Sequence, residues 1–319
     1  MQTRRLKMDT AFDETVGLLR TSQTVAIGTE TVYGLFGRAD DPDAVARIFE
    51  AKGRPAFNPL IAHVSGLDMA ERVGHFGRIE RELIEAFWPG PFTLVTERLE
   101  NGLASDLACA GLDTVAIRHA AAPFLSSVIR ELEAPLAGPS ANRSGHVSAT
   151  NADAVQTDLD GLIPLIIDTG PCDEGIESTI VRVIEERVLI LRPGSITADM
   201  IENAVGCPVF YPDAEDASII APGQMTSHYA PNSDVILNAT SSEPGEIYLA
   251  FGATKKTVKG TAYSLSPSGD LREAAANLYS LLRKADSQNP VHILVAPIPD
   301  IGLGAAINDR LRRAAAPQR

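Results

Sequence analysis

The chain has 319 residues, of which 45% are hydrophobic, and its formal net charge is −13. That length and apolar content allow two domains with packed cores. No run approaches the roughly 18 consecutive apolar residues of a membrane helix, and no apolar segment follows the basic N-terminus, so we expect a cytoplasmic protein. Cys109, Cys172 and Cys207 lie far apart in the sequence, which favours free thiols over a disulfide framework or a zinc cluster.

The charge is unevenly distributed along the chain. Residues 232–319 carry 10 Lys and Arg against 8 Asp and Glu, whereas the rest of the chain carries 18 against 33. Non-specific nucleic-acid binding depends on neutralising phosphates, so this acidic body argues against a stable nucleic-acid partner. A basic cluster within it points instead to a small anionic ligand.

Hydrophobic periodicity and turn residues predict the elements of the first two thirds of the chain. A helix is expected at 8–21, a strand at 24–29 and another strand at the end of the stretch 24–64. Asp41 before Pro42 predicts the start of a second helix, and Gly53 predicts its end. Farther along, the pattern predicts helices at 78–88, 124–132, 152–159 and 197–205, and strands at 92–96, 113–118, 163–168, 178–184 and 188–191.

A segment with several prolines and glycines separates this part from the C-terminal region. We expect a main domain over 1–206, a linker over 207–231 and a smaller α/β domain over 232–319. The smaller domain is predicted to contain strands at 235–237, 246–251 and 292–296 and helices at about 270–284 and 304–315. Because strands and helices do not alternate strictly in the main domain, we expect a mixed, twisted sheet with flanking helices.

Polar side chains collect around the helix that begins after Asp41. They comprise two cations, several hydroxyls, an amide and an imidazole: Thr29, Thr31, Tyr33, Lys52, Arg54, Asn58 and His63. Such a set at strand ends suits a cradle for a small anionic ligand, and the alternative is a solvated loop with chance charges. Arg118 and Arg192 also end predicted strands. Arginine suits phosphate and carboxylate groups because its planar fork donates two hydrogen bonds, so a shared crevice would favour the ligand site.

Several common catalytic motifs are absent from the sequence. Without a G-x-x-x-x-G-K-[ST] loop, a Walker-type nucleotidase is disfavoured. Neither a G-x-S-x-G elbow nor an H-E-x-x-H helix occurs. The stretch Gly302-Leu303-Gly304 begins like a dinucleotide fingerprint, but Ile307 stands at the third glycine position, which favours a simple turn into a helix.

Eight motifs, in order, make the chain resemble the threonylcarbamoyl-AMP synthase family in its long, two-domain form. They are TETVYGL (29–35), AKGRPAFNPLIAHV (51–64), WPGPFTLV (88–95), GLDTVAIR (111–118), GPSAN (138–142), GIESTIV (175–181), LRPG (191–194) and SHYAP (227–231). The resemblance implies a YrdC-like catalytic domain followed by a Rossmann-like α/β domain. The chain departs from the family pattern at Gly28, where proline is usual, at Phe36, where glycine is usual, and at Gly138, where alanine is common.

By this resemblance the enzyme condenses L-threonine, bicarbonate or CO2, and ATP into threonylcarbamoyl-AMP and pyrophosphate, with Mg²⁺ accompanying ATP and no metal ligands from the protein. Partner proteins would then transfer the threonylcarbamoyl group to a tRNA adenosine. The implied threonine ligands are Thr31, His63, Arg118, Gly138 and Ser178. The implied ATP ligands are Arg54, Asn58, Thr114, Ser140, Ser148, Arg192 and Tyr229. Lys52 and Arg54 are the implied catalytic residues, and Lys52 is expected to face phosphate or carbamate. Thr29, Tyr33, Asn142 and His228 are secondary candidates.

Three further hypotheses accompany this interpretation. Residues 221–231 are predicted to fold over the catalytic domain as a lid that places Tyr229 on the nucleotide. A carbamoyl-adenylate-forming enzyme of metal-centre maturation is a first alternative, although the chain lacks the cysteine pairs of its usual accessory regions. A non-catalytic RNA-binding module of the same fold is a second alternative, which the acidic main domain disfavours.

Overall fold

The computed structural model describes residues 2–212, 228–253 and 257–317. Within these ranges the strands form two sheets, one of eleven strands and one of four. None of the helices in the described part of the chain is long and apolar enough to cross a membrane.

The larger sheet contains both parallel and antiparallel neighbours, as the sequence predicted. Its strands run in the order β1-β8-β2-β3-β7-β4-β6-β5-β9-β10-β11. In chain order they are β1 (Arg4–Lys7), β2 (Val25–Gly28), β3 (Tyr33–Arg38), β4 (Ile61–His63), β5 (Phe92–Glu97), β6 (Thr114–Arg118), β7 (Leu136–Ala137), β8 (Leu165–Asp168), β9 (Thr179–Ile184), β10 (Arg187–Arg192) and β11 (Val209–Phe210). Parallel pairing of β4 with β6 sets His63 opposite Arg118, so two predicted ligands share one end of the sheet.

Seven helices, counted over residues 2–212, flank this sheet. They are α1 (Met8–Arg20), α2 (Pro42–Lys52), α3 (Leu67–Ala70), α4 (Arg78–Phe87), α5 (Pro123–Leu132), α6 (Ala152–Leu159) and α7 (Ala198–Val205). Helix α2 follows its local signals closely. The Asp41 side chain accepts from the backbone N–H groups of Asp43 and Ala44, and Gly53 ends the helix at φ 59°.

Five strands were not predicted from sequence, and each owes its pairing to tertiary structure rather than local propensity. Strand β3 lies between the predicted strand at 24–29 and the predicted second helix, and its sequence, YGLFGR, contains two glycines and no β-branched residue. It nevertheless pairs with β2 and β7. Strands β1, β7, β11 and β14 (Thr261–Ser266) were likewise not predicted. The first is an exposed edge strand of sequence RRLK that pairs with β8.

The smaller sheet is parallel throughout, in the order β12-β15-β13-β14, which agrees with a Rossmann-like unit. Its other elements are β12 (Val235–Ile236), β13 (Ile247–Phe251), β15 (Ile293–Val295), α8 (Leu271–Asp286) and α9 (Leu303–Ala314). Its core continues into the larger unit, because Val32, Ile176 and Tyr229 belong to the same apolar cluster as Tyr279. The predicted domain bounds stay predictions, and residues 213–227 of the predicted linker lie outside the described residues.

Candidate active site

A narrow cavity of about 50 Å³ lies where β2, β3, β4 and β6 meet the loops after β7 and β10. Ten of the residues predicted from sequence line it: Thr29, Thr31, Arg54, His63, Arg118, Gly138, Ser140, Arg192, His228 and Tyr229. A larger cleft of about 540 Å³, beside Tyr211 and α9, contains none of the predicted residues. The chemistry therefore points to the small cavity.

One side of the cavity carries two buried guanidinium groups. Arg54 donates from Nε to the Asn58 carbonyl at 3.2 Å and from Nη2 to the Pro59 carbonyl at 3.0 Å. Arg192 donates to the Ser178 carbonyl and, at 3.1 Å, to the Ser178 hydroxyl. Burial lowers the pKa of Arg54 to about 10, so the group still carries its charge at neutral pH. No carboxylate of the described residues forms a salt bridge with Arg54. This side therefore suits an anionic ligand.

Lys52 lies behind this wall rather than on it. Its ammonium donates to the carbonyls of Ser140 and Asn142, each at 2.5 Å. Burial, with Arg54 nearby, lowers the pKa of Lys52 well below its ordinary value. Lys52 thus fixes the loop that carries Ser140, and its predicted contact with phosphate or carbamate stays a prediction.

The opposite side of the cavity combines a neutral imidazole with a clamped arginine. Burial lowers the pKa of His63 to about 3, and its Nδ1 finds no hydrogen-bond partner among the described residues. Arg118 donates to the Gly90 carbonyl at 3.2 Å and to Glu30 Oε1 at 2.6 Å. The hydroxyls of Thr29 and Thr31 lie 2.9 Å apart. A small amino acid would find a cation, hydroxyls and an imidazole here.

His228 and Tyr229 enter the cavity from the C-terminal side. Both are buried, and Tyr229 adopts a left-handed backbone conformation with φ 63°. The Tyr229 hydroxyl and the His228 Nδ1 have no hydrogen-bond partner within the described ranges. Buried polar atoms without partners are costly, so their placement at a cavity wall suits contact with a ligand. Residues 221–227 of the predicted lid lie outside the described residues.

Besides Lys52, six predicted residues do not line the cavity: Tyr33, Asn58, Thr114, Asn142, Ser148 and Ser178. Ser178 and Ser148 contact residues of the cavity wall. The Ser178 hydroxyl accepts a hydrogen bond from Arg192, and the Ser148 hydroxyl donates one to Glu177. Thr114 stands at the opposite end of β6 from Arg118. The Tyr33 hydroxyl donates to the Gly170 carbonyl at 2.8 Å, away from the cavity. Their assigned ligand roles stay predictions.

Four residues that were not predicted from sequence contact predicted site residues: Glu30, Glu177, Tyr279 and Arg310. Glu30 and Glu177 stand inside the TETVYGL and GIESTIV motifs, where a search for acidic partners of the arginines would have found them. Tyr279 and Arg310 belong to the smaller unit. They reach Glu177 across 102 and 133 residues, a separation without a local signal.

Two of the departures from the family pattern meet in space. A Cβ atom on Gly138 would lie 2.3 Å from the Phe36 ring, and one on Gly34 would lie 2.4 Å from it. Phe36 lines the cavity and meets His63 edge to face, with ring centroids 5.0 Å apart. Gly138 therefore makes the space that Phe36 occupies. A Cβ on Gly28 would lie 1.9 Å from the Thr169 hydroxyl, which explains the absence of a larger residue there.

Two family models cover nearly the whole chain. One, described as telomere recombination, matches residues 17–194. The other, described as the C-terminal domain of threonylcarbamoyl-AMP synthase, matches residues 196–316.

Individual relatives extend the same agreement across both units. The threonylcarbamoyl-AMP synthase of Bacillus subtilis is 37% identical, over 96% of this chain and 93% of its own. That of Pyrococcus abyssi is 38% identical, over 93% and 92%. The solved structure of P. abyssi Sua5 complexed with L-threonine superposes with a TM-score of 0.86 at 34% identity, covering 98% of this chain and 96% of the other. The chain belongs to the threonylcarbamoyl-AMP synthase family, in its two-domain form.

Proposed function

We propose that the chain is an L-threonylcarbamoyladenylate synthase, a nucleotidyltransferase that uses L-threonine, bicarbonate or CO2, and ATP. One observation carries the proposal: a single cavity holds buried Arg54 and Arg192 on one side and His63, Thr31 and Arg118 on the other. The first side matches the phosphates of a nucleotide, and the second matches the carboxylate and side chain of threonine. Relatives of nearly equal length that bear the name of this activity support it.

The reaction needs positioning and charge neutralisation more than it needs a protein nucleophile. The threonine amine, as the free base, attacks carbon dioxide and loses a proton, which yields a carbamate. A carbamate oxygen then attacks the α-phosphorus of ATP while the bond to the bridging oxygen breaks and pyrophosphate leaves. Both reactants are anionic, so fixed cations such as Arg54 and Arg192 lower the barrier by holding them in line.

Mg²⁺ enters this scheme with the substrate. The described residues contain no group of three or more His, Cys, Asp or Glu side chains that could hold a metal ion. The donors at the cavity are mostly cations and hydroxyls, a poor set for a resident divalent ion. We therefore assign the ion to MgATP. The downstream transfer of the threonylcarbamoyl group to tRNA by partner proteins, and the cytoplasmic location, remain predictions of the sequence.

The deciding assay measures pyrophosphate release from ATP in the purified protein, with the adenylate product identified by mass. Release should require threonine and bicarbonate together. Removing one preorganised donor typically costs about 2.7–4 kcal/mol in transition-state stabilisation, so we expect Arg54→Ala to lose roughly a hundredfold or more in rate. We expect a similar loss for Lys52→Ala, because Lys52 fixes the loop that carries Ser140. Near-wild-type turnover in both folded variants would contradict the assignment of this loop.

The same preparation separates the alternatives. Pyrophosphate release that requires carbamoyl phosphate instead of threonine and bicarbonate would favour the metal-centre maturation enzyme. Tight tRNA binding without any such release would favour the RNA-binding module. Serine compared with threonine in the same assay measures the selectivity of the amino-acid side.

A further inference from the structure

A buried network of polar groups joins the smaller unit to the cavity wall. Arg310 of α9 donates from Nε to Glu177 Oε2 at 2.9 Å, and the Tyr279 hydroxyl of α8 donates to the same oxygen at 2.8 Å. The other oxygen, Oε1, accepts from the Ser148 hydroxyl. The Arg310 side chain is 0% exposed and that of Glu177 is 7% exposed. Glu177 itself lines the cavity and precedes Ser178.

Arg310 also contacts two other parts of the cavity wall. Its Nη2 donates at 2.9 Å to the carbonyl of Pro193, the residue that follows Arg192. Its guanidinium carbon lies 5.2 Å from the centroid of the Tyr229 ring. Tyr279 stacks on the same Tyr229 ring, with the two ring centroids 5.6 Å apart and an angle of 25° between the ring planes. One side chain of the smaller unit therefore holds Glu177, the loop after β10 and Tyr229.

The protonation of this network is set by its charges. Arg310 and Arg192 favour the carboxylate of Glu177 and lower its pKa to about 2, even though burial opposes this. An ionised carboxylate only accepts hydrogen bonds, so the hydroxyls of Ser148 and Tyr279 must both donate to it. The hydroxyl hydrogen of Ser148 is therefore used in the hydrogen bond to Glu177, and the Ser148 oxygen can only accept a hydrogen bond from any further group.

We propose that Arg310 and Tyr279 are positioning residues of the active site, which act by fixing Glu177 and the Tyr229 ring against the cavity. The smaller unit thus contributes two side chains that hold residues of the cavity wall in place. This inference rests on the proposed function, because it assumes that Tyr229 and Arg192 face the nucleotide. Neither Arg310 nor Tyr279 lines the cavity, so both act through the residues they hold.

The test compares Arg310→Ala, Arg310→Lys and Tyr279→Phe in the full chain, with Arg312→Ala as the matched control on the same helix. Arg312 is 60% exposed and lies 3.9 Å from its nearest carboxylate, that of Asp300. Displacing a reacting group by about 1 Å can cost 100-fold in rate. We therefore expect a loss of this order in kcat for Arg310→Ala, partial recovery with lysine, and wild-type kinetics for Arg312→Ala. The KM for threonine should stay constant, because Arg118 and His63 are untouched.

A second comparison separates positioning from mere folding. If Arg310 acts through the Tyr229 ring, Arg310→Ala should add little to the loss already caused by Tyr229→Ala. Losses that multiply, or an Arg310→Ala variant with kcat and KM for ATP within twofold of wild type, would overturn the proposal. Should Arg310→Ala fail to fold, Tyr279→Phe decides, since it removes only one hydroxyl. Wild-type kinetics for Tyr279→Phe would then refute it.

The proposed function can fail separately. A wild-type chain without threonine-dependent pyrophosphate release would refute that activity. Calorimetric titration of ATP into wild type and Arg310→Ala would still test the positioning role, with unchanged affinity and enthalpy counting against it.

Discussion

The pairing of Phe36 with Gly138 makes a quantitative prediction about stability. Gly138 does not need a left-handed backbone, so alanine is excluded there by space alone. Its Cβ would lie 2.3 and 2.5 Å from two atoms of the Phe36 ring and 3.2 Å from the His63 ring. Overpacking of a buried site typically costs about 1–3 kcal/mol. We expect Gly138→Ala to lower the free energy of unfolding by that amount.

The reverse is expected once the ring is removed. Phe36 is 0% exposed, so Phe36→Ala alone should cost about 3–5 kcal/mol. In that background the Cβ of Gly138→Ala no longer meets the Phe36 ring, and only the 3.2 Å contact with the His63 ring remains. The substitution should be neutral, or stabilising by about 0.4–1 kcal/mol, because alanine restricts the unfolded chain. The two substitutions should therefore couple by at least about 1 kcal/mol, well within the range seen for residues in contact.

Trp88, the only tryptophan of the sequence, provides the assay. It packs against the apolar clusters of the larger unit, so its fluorescence during urea unfolding follows that unit. The four chains of the cycle are wild type, both single variants and the double variant. Equal destabilisation by Gly138→Ala with and without Phe36, or no effect in wild type, would refute the steric argument.

Three other predictions concern the charges of the site. Glu30→Ala should lower the free energy of unfolding by about 3–5 kcal/mol and raise the KM for threonine, because it leaves the nearly buried Arg118 without its carboxylate partner. Glu30→Gln should lower it by less. Equal urea midpoints for wild type and Glu30→Ala would contradict this prediction. Burial lowers the pKa of His63 to about 3, so between about pH 6.5 and 3 the unfolded chain binds one more proton at this residue than the folded chain does. The free energy of unfolding should therefore fall as the pH drops through that window, by up to about 1.4 kcal/mol per pH unit. Urea unfolding of His63→Asn should lack this part of the pH dependence. Chelation of Mg²⁺ should abolish pyrophosphate release yet leave the melting temperature of the ligand-free protein unchanged; a lower melting temperature would indicate a resident ion.

The sequence predicted those parts of the fold that local chemistry determines. Asp41, Pro42 and Gly53 fix the ends of α2 through a cap, a preset φ and a left-handed stop, all within a few residues. Strand β3 was missed because its backbone pairs with β2 and β7, which lie on different parts of the chain. Its two glycines disfavour a strand, and its tyrosine and phenylalanine do not outweigh them. Register and pairing are tertiary properties, so they emerge only once the sheet exists.

The candidate site shows the same division. Polar residues at strand ends could be read as a shared crevice, and the structure brings ten of the predicted residues to one cavity. The partner of each cationic side chain could not be predicted from the sequence. The sequence predicts that Lys52 faces phosphate or carbamate, yet its ammonium donates to two backbone carbonyls. Arg310, unremarkable on an amphipathic helix, is among the most buried side chains of the described residues.

The way in which the cations of the site are paired explains how an acidic protein could bind two small anions. Glu30 and Glu177 form salt bridges with Arg118, which lines the cavity, and with Arg310, which does not. Arg54, in contrast, satisfies its hydrogen bonds through carbonyl oxygens, which are dipoles and leave its positive charge in place. In a buried site such charge attracts anions more strongly than it would in water. The negative residues of the main domain keep this potential local, so it would attract a nucleotide and a carbamate to the cavity, whereas the rest of the surface would repel a long polyanion.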